Sequence, residues 1–317
     1  MQIIDQLKNE VNLKYKLSID FSFDKKFYRN DHVWAVGTFW VWKGKNYEVI
    51  NYGSWKHGEQ FSLKSWHDNE ETKPFKKEYA IQIHELNRNL EEEKKQKHLD
   101  CKNKWEPIFN SAVTPDNHDY LTNKEILPHN SRVDDRKTLL IPFYNENGFV
   151  GVQRILPDGK KFFSSGIEIQ GAICPLTPFY DKSLCYVSEG FATAATIQEC
   201  FPEIPSICAA NAGNLSHAVR TIRKINPEIK ICIAADRDKN RIGEIKAKLA
   251  CSIDRDIIFI VAKTESEAWT DFNDLAVFQG KDKVIEQLNV SDNDFAFVKA
   301  LGHNGDSYFY CSSLNQQ

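Results

Sequence analysis

The stretch LCYVSEGFATAATIQECFPEIPSICAANAGNLSHAVRTIRKINPEIKICIAADRD, residues 184–238, alternates short apolar runs with segments of helical periodicity. The alternation continues through RIGEIKAKLA at 241–250 and DIIFIVA at 256–262. Short apolar strands that alternate with helices are typical of a parallel, doubly wound sheet. We therefore predict an α/β fold in which residues 181–285 form such a sheet.

Acidic residues follow the predicted strands. Glu189 comes directly after CYVS, and Asp236 and Asp238 follow KICIAA as the triplet Asp-Arg-Asp. Asp271 and Asp274 come after the last strand, in the segment TDFNDL. Ligands of a doubly wound sheet bind beyond the carboxyl ends of its strands, so these five acids are candidate site residues.

Carboxylates gathered at one edge of a sheet need a counter-charge. Two of them 4 Å apart repel by about 4 kcal/mol at an effective dielectric constant of about 20. Mg²⁺ binds oxygen ligands and retains substrate phosphates in its shell, so it suits such a cluster. The alternative is that each acid caps a helix or lies in a solvated turn. Each motif alone fits either interpretation, but three acidic motifs, each after its own strand, favour the metal site.

The motifs YVSEGFATAATI, AANAGNL, IAADRD with the following Gly243, and TDFNDL resemble the successive motifs of the Toprim domain. The form they resemble is that of primases from plasmids, phages and other mobile elements. The resemblance implies that Glu189 acts as an acid/base catalyst or metal ligand. It also implies that Asp236 and Asp238 bind a divalent metal, Mg²⁺ or Mn²⁺.

Two further parts of the Toprim pattern supply candidate residues. Asp271 and Asp274 match the later acidic motif, with a metal-binding role. Gly213 and Asn214 lie in a turn of small residues, where the backbone can approach a phosphate or a metal.

The segment LLIPFYNENGFVGVQRILPDGKKFFSSG, residues 139–166, reads as three strands separated by the turn signals Glu-Asn-Gly and Pro-Asp-Gly. It resembles the lobe that precedes Toprim in DnaG-like primases, so we expect residues 111–180 to form a small α+β lobe. The resemblance implies that Arg154, Lys160 and Lys161 bind the template and the nucleotide. Ordinary surface charges on a hairpin are the alternative.

Residues 1–110 are predicted to form a β-rich amino-terminal module that ends in a long charged helix. The module begins with a short amphipathic helix, and aromatic strands follow between residues 32 and 66. Trp34, Trp40 and Trp42 fall on one face, where they serve either as the core of the module or as a platform for template bases. The pattern favours the core.

The last segment, residues 286–317, contains two strand-like pieces, DFAFVKAL and SYFYCS. It resembles the start of a further module, such as a helicase fused to a primase.

The composition restricts the class of protein. The net charge is −3, no apolar run reaches the roughly 20 residues that span a bilayer, and no secretory signal is visible. None of the eight cysteines forms a Cys-x-x-Cys pair, so the zinc finger of bacterial primases is missing from the pattern. Thiols in apolar strands favour a reducing compartment, and we expect a cytoplasmic protein with no membrane partner.

These features predict a DNA primase, an RNA-polymerase-type nucleotidyltransferase that makes primers on single-stranded DNA during replication of a mobile element. Its expected partners are the template, nucleoside triphosphates and a replicative helicase, in cis or in trans. Two alternatives are a Toprim nuclease and a non-catalytic nucleic-acid-binding replication protein.

Overall fold

The computed structural model of the chain describes residues 3–22, 28–42, 45–54, 59–65, 73–237, 239–254 and 256–301. The chain divides into two compact units, residues 1–91 and 92–317. The predicted module boundaries at residues 110, 180 and 285 stay predictions.

The first unit combines one helix with an antiparallel sheet. Helix α1 (Ile3–Tyr15) buries a stripe at four-residue spacing, Ile3, Leu7 and Val11, against the sheet residues Ile50 and Tyr52. The predicted amphipathic helix is confirmed. The sheet has the strand order β1 (Tyr28–Asn30), β2 (Val33–Trp42), β3 (Lys45–Ser54) and β4 (Glu59–Lys64).

The aromatic strands contribute to the core of this unit. Tyr47 and Tyr52 are buried, and Trp34 is half-buried. The side chains of Trp40 and Trp42 lie outside what the structure describes.

The second unit contains a small antiparallel sheet and two helices that precede it. The helices are α2 (Lys73–Ser111), which begins in the first unit, and α3 (Asp119–Lys124). The sheet has the order β5 (Arg132–Val133), β6 (Leu139–Asn145), β7 (Gly148–Ile155) and β8 (Lys161–Phe163). We call α3 and this sheet the lobe.

The two faces of the lobe sheet pack on different partners because side chains alternate along a strand. On one face, Leu139 and Ile141 join a core with α3. On the other face, Leu140 and Val152 pack against Phe109 of α2. Whether a side chain of β7 or β8 faces α3 or α2 therefore depends on its position along the strand.

A five-stranded mixed sheet follows. Its strands are β9 (Cys174–Pro175), β10 (Leu184–Ser188), β11 (Ser206–Cys208), β12 (Lys230–Ala235) and β13 (Ile257–Val261), in the order β13-β12-β10-β11-β9. All neighbours pair in parallel except β9, which is antiparallel at the edge. The strands are buried almost throughout, as expected for a sheet with helices on both faces. The predicted α/β class is confirmed.

Helices cover this sheet in two layers. On one side α4 (Phe191–Cys200) contacts α7 (Phe272–Gln279) and α8 (Lys281–Leu288), while α5 (Leu215–Ile225) contacts α6 (Ile242–Cys251). The chain runs from β10 to β11 in one direction and then crosses back to β12 on the other side of β10. The point where the direction reverses, between β10 and β12, is where ligands of such sheets bind.

The strand prediction for DFAFVKAL is wrong, because this segment belongs to helix α9 (Asp292–Leu301). Asp294 accepts hydrogen bonds from the backbone nitrogen and the hydroxyl of Ser291, at 2.6 and 2.8 Å. A serine followed three residues later by an acid is a helix-start signal that outweighs the alternation of apolar and polar residues. The segment SYFYCS lies outside the described residues.

Candidate active site

Two of the predicted acids leave the sheet at its switch point. Glu189 follows the last residue of β10, and Asp236 follows the last residue of β12. Ser188 pairs with Ala234 in the parallel register, so both acids lie at the same edge of the sheet. Glu189 Oε1 and Asp236 Oδ1 are shielded from solvent, where charges interact more strongly than in water.

Gly243, at the start of α6, allows these groups to approach one another. A Cβ atom at this position would lie 2.7 Å from Glu189 Oε1 and 2.7 Å from the main-chain oxygen of Asp236. Because both oxygen atoms lie 2.7 Å from the same point, the distance between them is at most twice 2.7 Å. The Glu189 carboxylate therefore packs beside the backbone of Asp236, in space that a residue with a side chain would fill.

The later acidic motif builds the start of α7. Asp271 is the N-cap and accepts a hydrogen bond from the backbone nitrogen of Asp274 at 2.8 Å. Asp274 accepts one from the backbone nitrogen of Thr270 at 3.0 Å and forms an ion pair with Lys124 at 3.3 Å. Burial raises the pKa of Asp271, although the bond from Asp274 opposes the shift. Both acids have the structural role of helix caps, and their role toward a metal stays a prediction.

Lys161 lies on the face of the lobe that turns toward this edge. Although Lys161 as a residue is exposed, its Nζ donates a hydrogen bond to the hydroxyl of the buried Tyr120 at 3.3 Å and lies 4.8 Å from the ring centre. Removal of the amino group from water lowers the pKa of Lys161, and the charge of Lys124 lowers it further. The amino group of Lys161 is thus packed against protein atoms rather than extended into water.

The thiol of Cys208 lies near both Lys161 and the acids Glu189 and Asp236. Cys208 is the last residue of β11, and burial raises its pKa to about 12. Its electrostatic neighbours include Lys161, Asp236 and Glu189, and it donates a hydrogen bond to the main-chain oxygen of Glu189 at 3.4 Å. The amino group of Lys161 and the carboxylates of Glu189 and Asp236 therefore all lie near the buried end of β11.

Lys124 is a residue that the sequence did not indicate. It ends α3, forms the ion pair with Asp274, and its main-chain oxygen accepts a hydrogen bond from Asn273 at 2.7 Å. The only sequence signal was a basic residue in the last turn of a short helix, which is a common feature of helix ends.

The other two predicted basic residues lie elsewhere. Arg154 shares a sheet face with Leu140 and stacks on Trp105 of α2, with its guanidinium carbon 5.3 Å from the ring centre. Lys160 lies in the exposed turn before β8 and pairs with Asp158 at 2.8 Å. Neither residue is brought to the acidic edge together with Lys161.

The turn of small residues is tied to the backbone of the unit. Asn214 is buried, and its amide donates hydrogen bonds to the main-chain oxygens of Ala172 and Ala209 at 2.8 and 2.9 Å. Its side-chain oxygen accepts one from the nitrogen of Gly171 at 2.7 Å. The side chain of Asn214 therefore fixes the turn, and Gly213 offers backbone only.

The residues at this edge suit a divalent cation by their chemistry. Glu189 and Asp236 supply carboxylate oxygens, the donor type that Mg²⁺ prefers, and the missing side chain of Gly243 lets the Glu189 carboxylate lie beside the Asp236 backbone. Asp238 lies outside the described residues. In the part of the chain that the structure describes, no three His, Cys, Asp or Glu side chains group into a metal site. The chemistry of Glu189 and Asp236, two of the five predicted acids, thus fits a cation, and the metal site as a whole stays a prediction.

Comparison with protein families identifies this sheet. Residues 184–282 match the Toprim domain. The Toprim segment includes Glu189, Asp236 and Gly243, whereas Lys124 and Lys161 belong to the lobe that precedes it. The predicted Toprim fold is therefore confirmed for the sheet that carries the acids.

Among solved structures, similarity is found to one chain in a structure of the bacteriophage T7 lagging-strand DNA polymerase interacting with primase domains of two gp4 subunits bound to an RNA/DNA hybrid and dTTP. The TM-score is 0.42 at 14% identity, and the alignment covers 52% of this chain and 88% of that chain. None of the described helices has the length and apolar character required to cross a membrane.

Proposed function

We propose that this chain is a metal-dependent primase that joins ribonucleotides on a single-stranded DNA template. The observation that carries the proposal is the convergence of Glu189 and Asp236 beside Gly243, at the switch point of a Toprim sheet. Such an edge suits nucleotidyl transfer because that reaction depends on neutralising and aligning phosphates.

The acids at this edge have distinct proposed roles. Glu189 holds the cation or accepts the proton of the attacking 3′-hydroxyl. Its Oε1 lies beside the Asp236 backbone, so the Glu189 carboxylate is next to the other proposed metal ligand. Asp236, and Asp238 by its place in the motif, hold Mg²⁺ or Mn²⁺. When bound, the cation neutralises phosphate charge and lowers the cost of in-line attack.

Lys161 and Lys124 supply positive charge from the lobe that precedes the Toprim sheet. The hydrogen bond to Tyr120 directs the amino group of Lys161, and Asp274 directs that of Lys124. We propose that Lys161 binds a phosphate of the incoming nucleotide. Because Arg154 and Lys160 lie away from this edge, we propose that they contact only the template, outside the reaction centre.

The wider setting is proposed from the motifs alone. We propose that the protein acts in the cytoplasm, in replication of a mobile element, together with a helicase in cis or in trans. Copurification of a replicative helicase with the full chain is the expected result of a pull-down from the native host.

A primer-synthesis assay tests the proposed activity. The full chain is incubated with labelled ribonucleotides, single-stranded DNA and Mg²⁺ or Mn²⁺, and products are separated by size. We expect Glu189→Gln and Asp236→Ala to abolish the products, because each removes a carboxylate from the acidic edge. The matched control is Glu286→Gln, since Glu286 is an exposed residue of α8 that pairs with Lys283.

The other outcomes of this assay identify the alternatives. Strand cleavage without synthesis indicates a Toprim nuclease, and binding of DNA with neither activity indicates a non-catalytic replication protein. Unfolding of both acidic variants would contradict the proposed roles, because it would make the acids structural caps.

A further inference from the structure

A stacked aromatic pair lies on the surface of the Toprim domain. Trp269, in the loop after β13, stacks on Phe278 of α7 with ring centres 4.6 Å apart and planes 6° from parallel. Phe278 is 57% exposed and Trp269 is half-buried, so part of the pair is in contact with water. Large apolar groups that stay in contact with water often mark a binding surface.

The loop that carries Trp269 is held in place by its own hydrogen bonds. The hydroxyl of Thr264 donates to the main-chain oxygens of Ser266 and Trp269, at 2.9 and 2.8 Å. The backbone nitrogen of Trp269 donates to the Ser266 oxygen at 3.2 Å. These bonds order the backbone of the loop that carries the indole, so a ligand that stacks on the pair need not order the loop.

The same loop is anchored to the acidic edge. The backbone nitrogen of Arg237 donates to the main-chain oxygen of Thr270 at 2.6 Å, and its guanidinium donates to the Ser266 oxygen at 3.4 Å. Arg237 directly follows Asp236, and Trp269 directly precedes Thr270. Consecutive Cα atoms are about 3.8 Å apart, so the backbone of Trp269 lies close to that of Asp236. A single bound nucleotide can therefore extend from the proposed reaction centre to the aromatic pair.

The negative charge around the aromatic pair determines which part of a nucleotide can bind there. Glu265 and Glu267 are exposed on the same loop and repel phosphates. The proposed phosphate site at Lys161 is on the lobe instead. An uncharged planar ring suits the aromatic pair better than a phosphodiester backbone does.

We propose that Trp269 and Phe278 form a stacking platform for a nucleobase of the nucleotide or single strand at the acidic edge. This inference rests on the proposed function, because it places a nucleotide there. A base stacked on an aromatic side chain contributes on the order of 1–3 kcal/mol, which corresponds to about 5-fold to 150-fold in affinity.

The test uses 2-aminopurine, whose fluorescence is quenched by stacking. The full chain is titrated with a 2-aminopurine-containing single-stranded oligonucleotide and, separately, with 2-aminopurine riboside triphosphate. Phe278→Leu keeps an apolar side chain but removes the ring, and Trp269→Ala removes the other partner. Both variants are expected to bind about 5-fold to 150-fold more weakly and to lose the quenching.

A second aromatic stack supplies the matched control. Phe179 and Tyr180 stack with ring centres 5.5 Å apart, and Tyr180 is 70% exposed. Tyr180 precedes the first residue of β10, at the opposite end of the strand from Glu189. Tyr180→Ala is expected to leave binding and quenching unchanged.

The outcomes are separable. Quenching with the oligonucleotide alone assigns the platform to a base of the strand, and quenching with the triphosphate alone assigns it to the incoming nucleotide. Wild-type binding and quenching by Phe278→Leu overturn the platform, even if primers are made. If no primers are made and quenching still depends on Phe278, the primase proposal fails and the platform stands.

Discussion

Gly243 shows how one missing side chain shapes the candidate site. Alanine in place of glycine usually favours a helix by about 1 kcal/mol, and Gly243 lies in α6. At this position a Cβ would meet two oxygen atoms at 2.7 Å, one from a backbone carbonyl and one from Glu189. The absence of the side chain therefore serves the acids, at the expense of helix propensity.

We predict that Gly243→Ala lowers the rate of primer synthesis on the order of 100-fold, because it displaces the Glu189 carboxylate. Thermal unfolding is expected to show no gain in stability. The control is Gly190→Ala, whose Cβ would find its nearest neighbour, the Thr193 hydroxyl, at 4.0 Å. Full activity of Gly243→Ala would show that Glu189 does not need its observed position.

At the scale of elements, a partly buried ion-pair cluster joins α4, α8 and the loop after α3. Glu199 of α4 accepts hydrogen bonds from the ring of His129 at 3.1 Å, from Lys281 at 2.7 Å and from the backbone of Leu127 at 2.8 Å. Its side chain is only 9% exposed. Burial raises the pKa of Glu199, but the bonds from His129, Lys281 and Leu127 outweigh burial, and the pKa is lowered overall.

We predict that Glu199→Gln destabilises the protein by about 1–3 kcal/mol at pH 7, because it removes the charge from these hydrogen bonds. A lowered pKa in the folded state stabilises the protein above the ordinary value of 4.5, and this contribution is lost as the pH falls through the folded value. The difference from wild type should therefore shrink below pH 4.5. Urea unfolding between pH 3 and 7 measures it, and a difference that stays constant would contradict the assignment.

At the scale of the whole molecule, each unit has its own hydrophobic core. The first is built by residues of α1 and the strands β2–β4. The second unit has one core around the Toprim sheet and another that joins the lobe to β9, α4 and β11. A ligand that binds only the folded Toprim domain stabilises that domain by mass action, by about 2.7 kcal/mol at a concentration 100 times its Kd.

We predict that Mg²⁺ slows amide hydrogen exchange in residues 184–282 and leaves exchange in residues 1–91 unchanged. Mass spectrometry of peptides from the full chain locates the effect. In Asp236→Ala the protection should disappear, since the carboxylate is a proposed ligand. Equal protection in both units would place the cation elsewhere.

The sequence predicted the Toprim sheet and the common edge of Glu189 and Asp236 because both depend on local patterns. Buried strands such as β13 are apolar throughout, and the helices between them have their own periodicity. The acids follow strand ends, and parallel strands bring their carboxyl ends to one edge. The error at α9 arose where two local patterns competed and the cap at Ser291 decided the outcome.

Only the tertiary structure decided which basic residues accompany the acids. Lys160 and Lys161 are neighbours in sequence, but only Lys161 lies on the face of β8 that turns toward Tyr120. Lys124 carried no distinguishing pattern and comes from a separate helix. The chain alone thus defined the sheet and its acids through local periodicity. The lysines and the aromatic pair were placed by packing between segments far apart in sequence, which a one-dimensional pattern does not record.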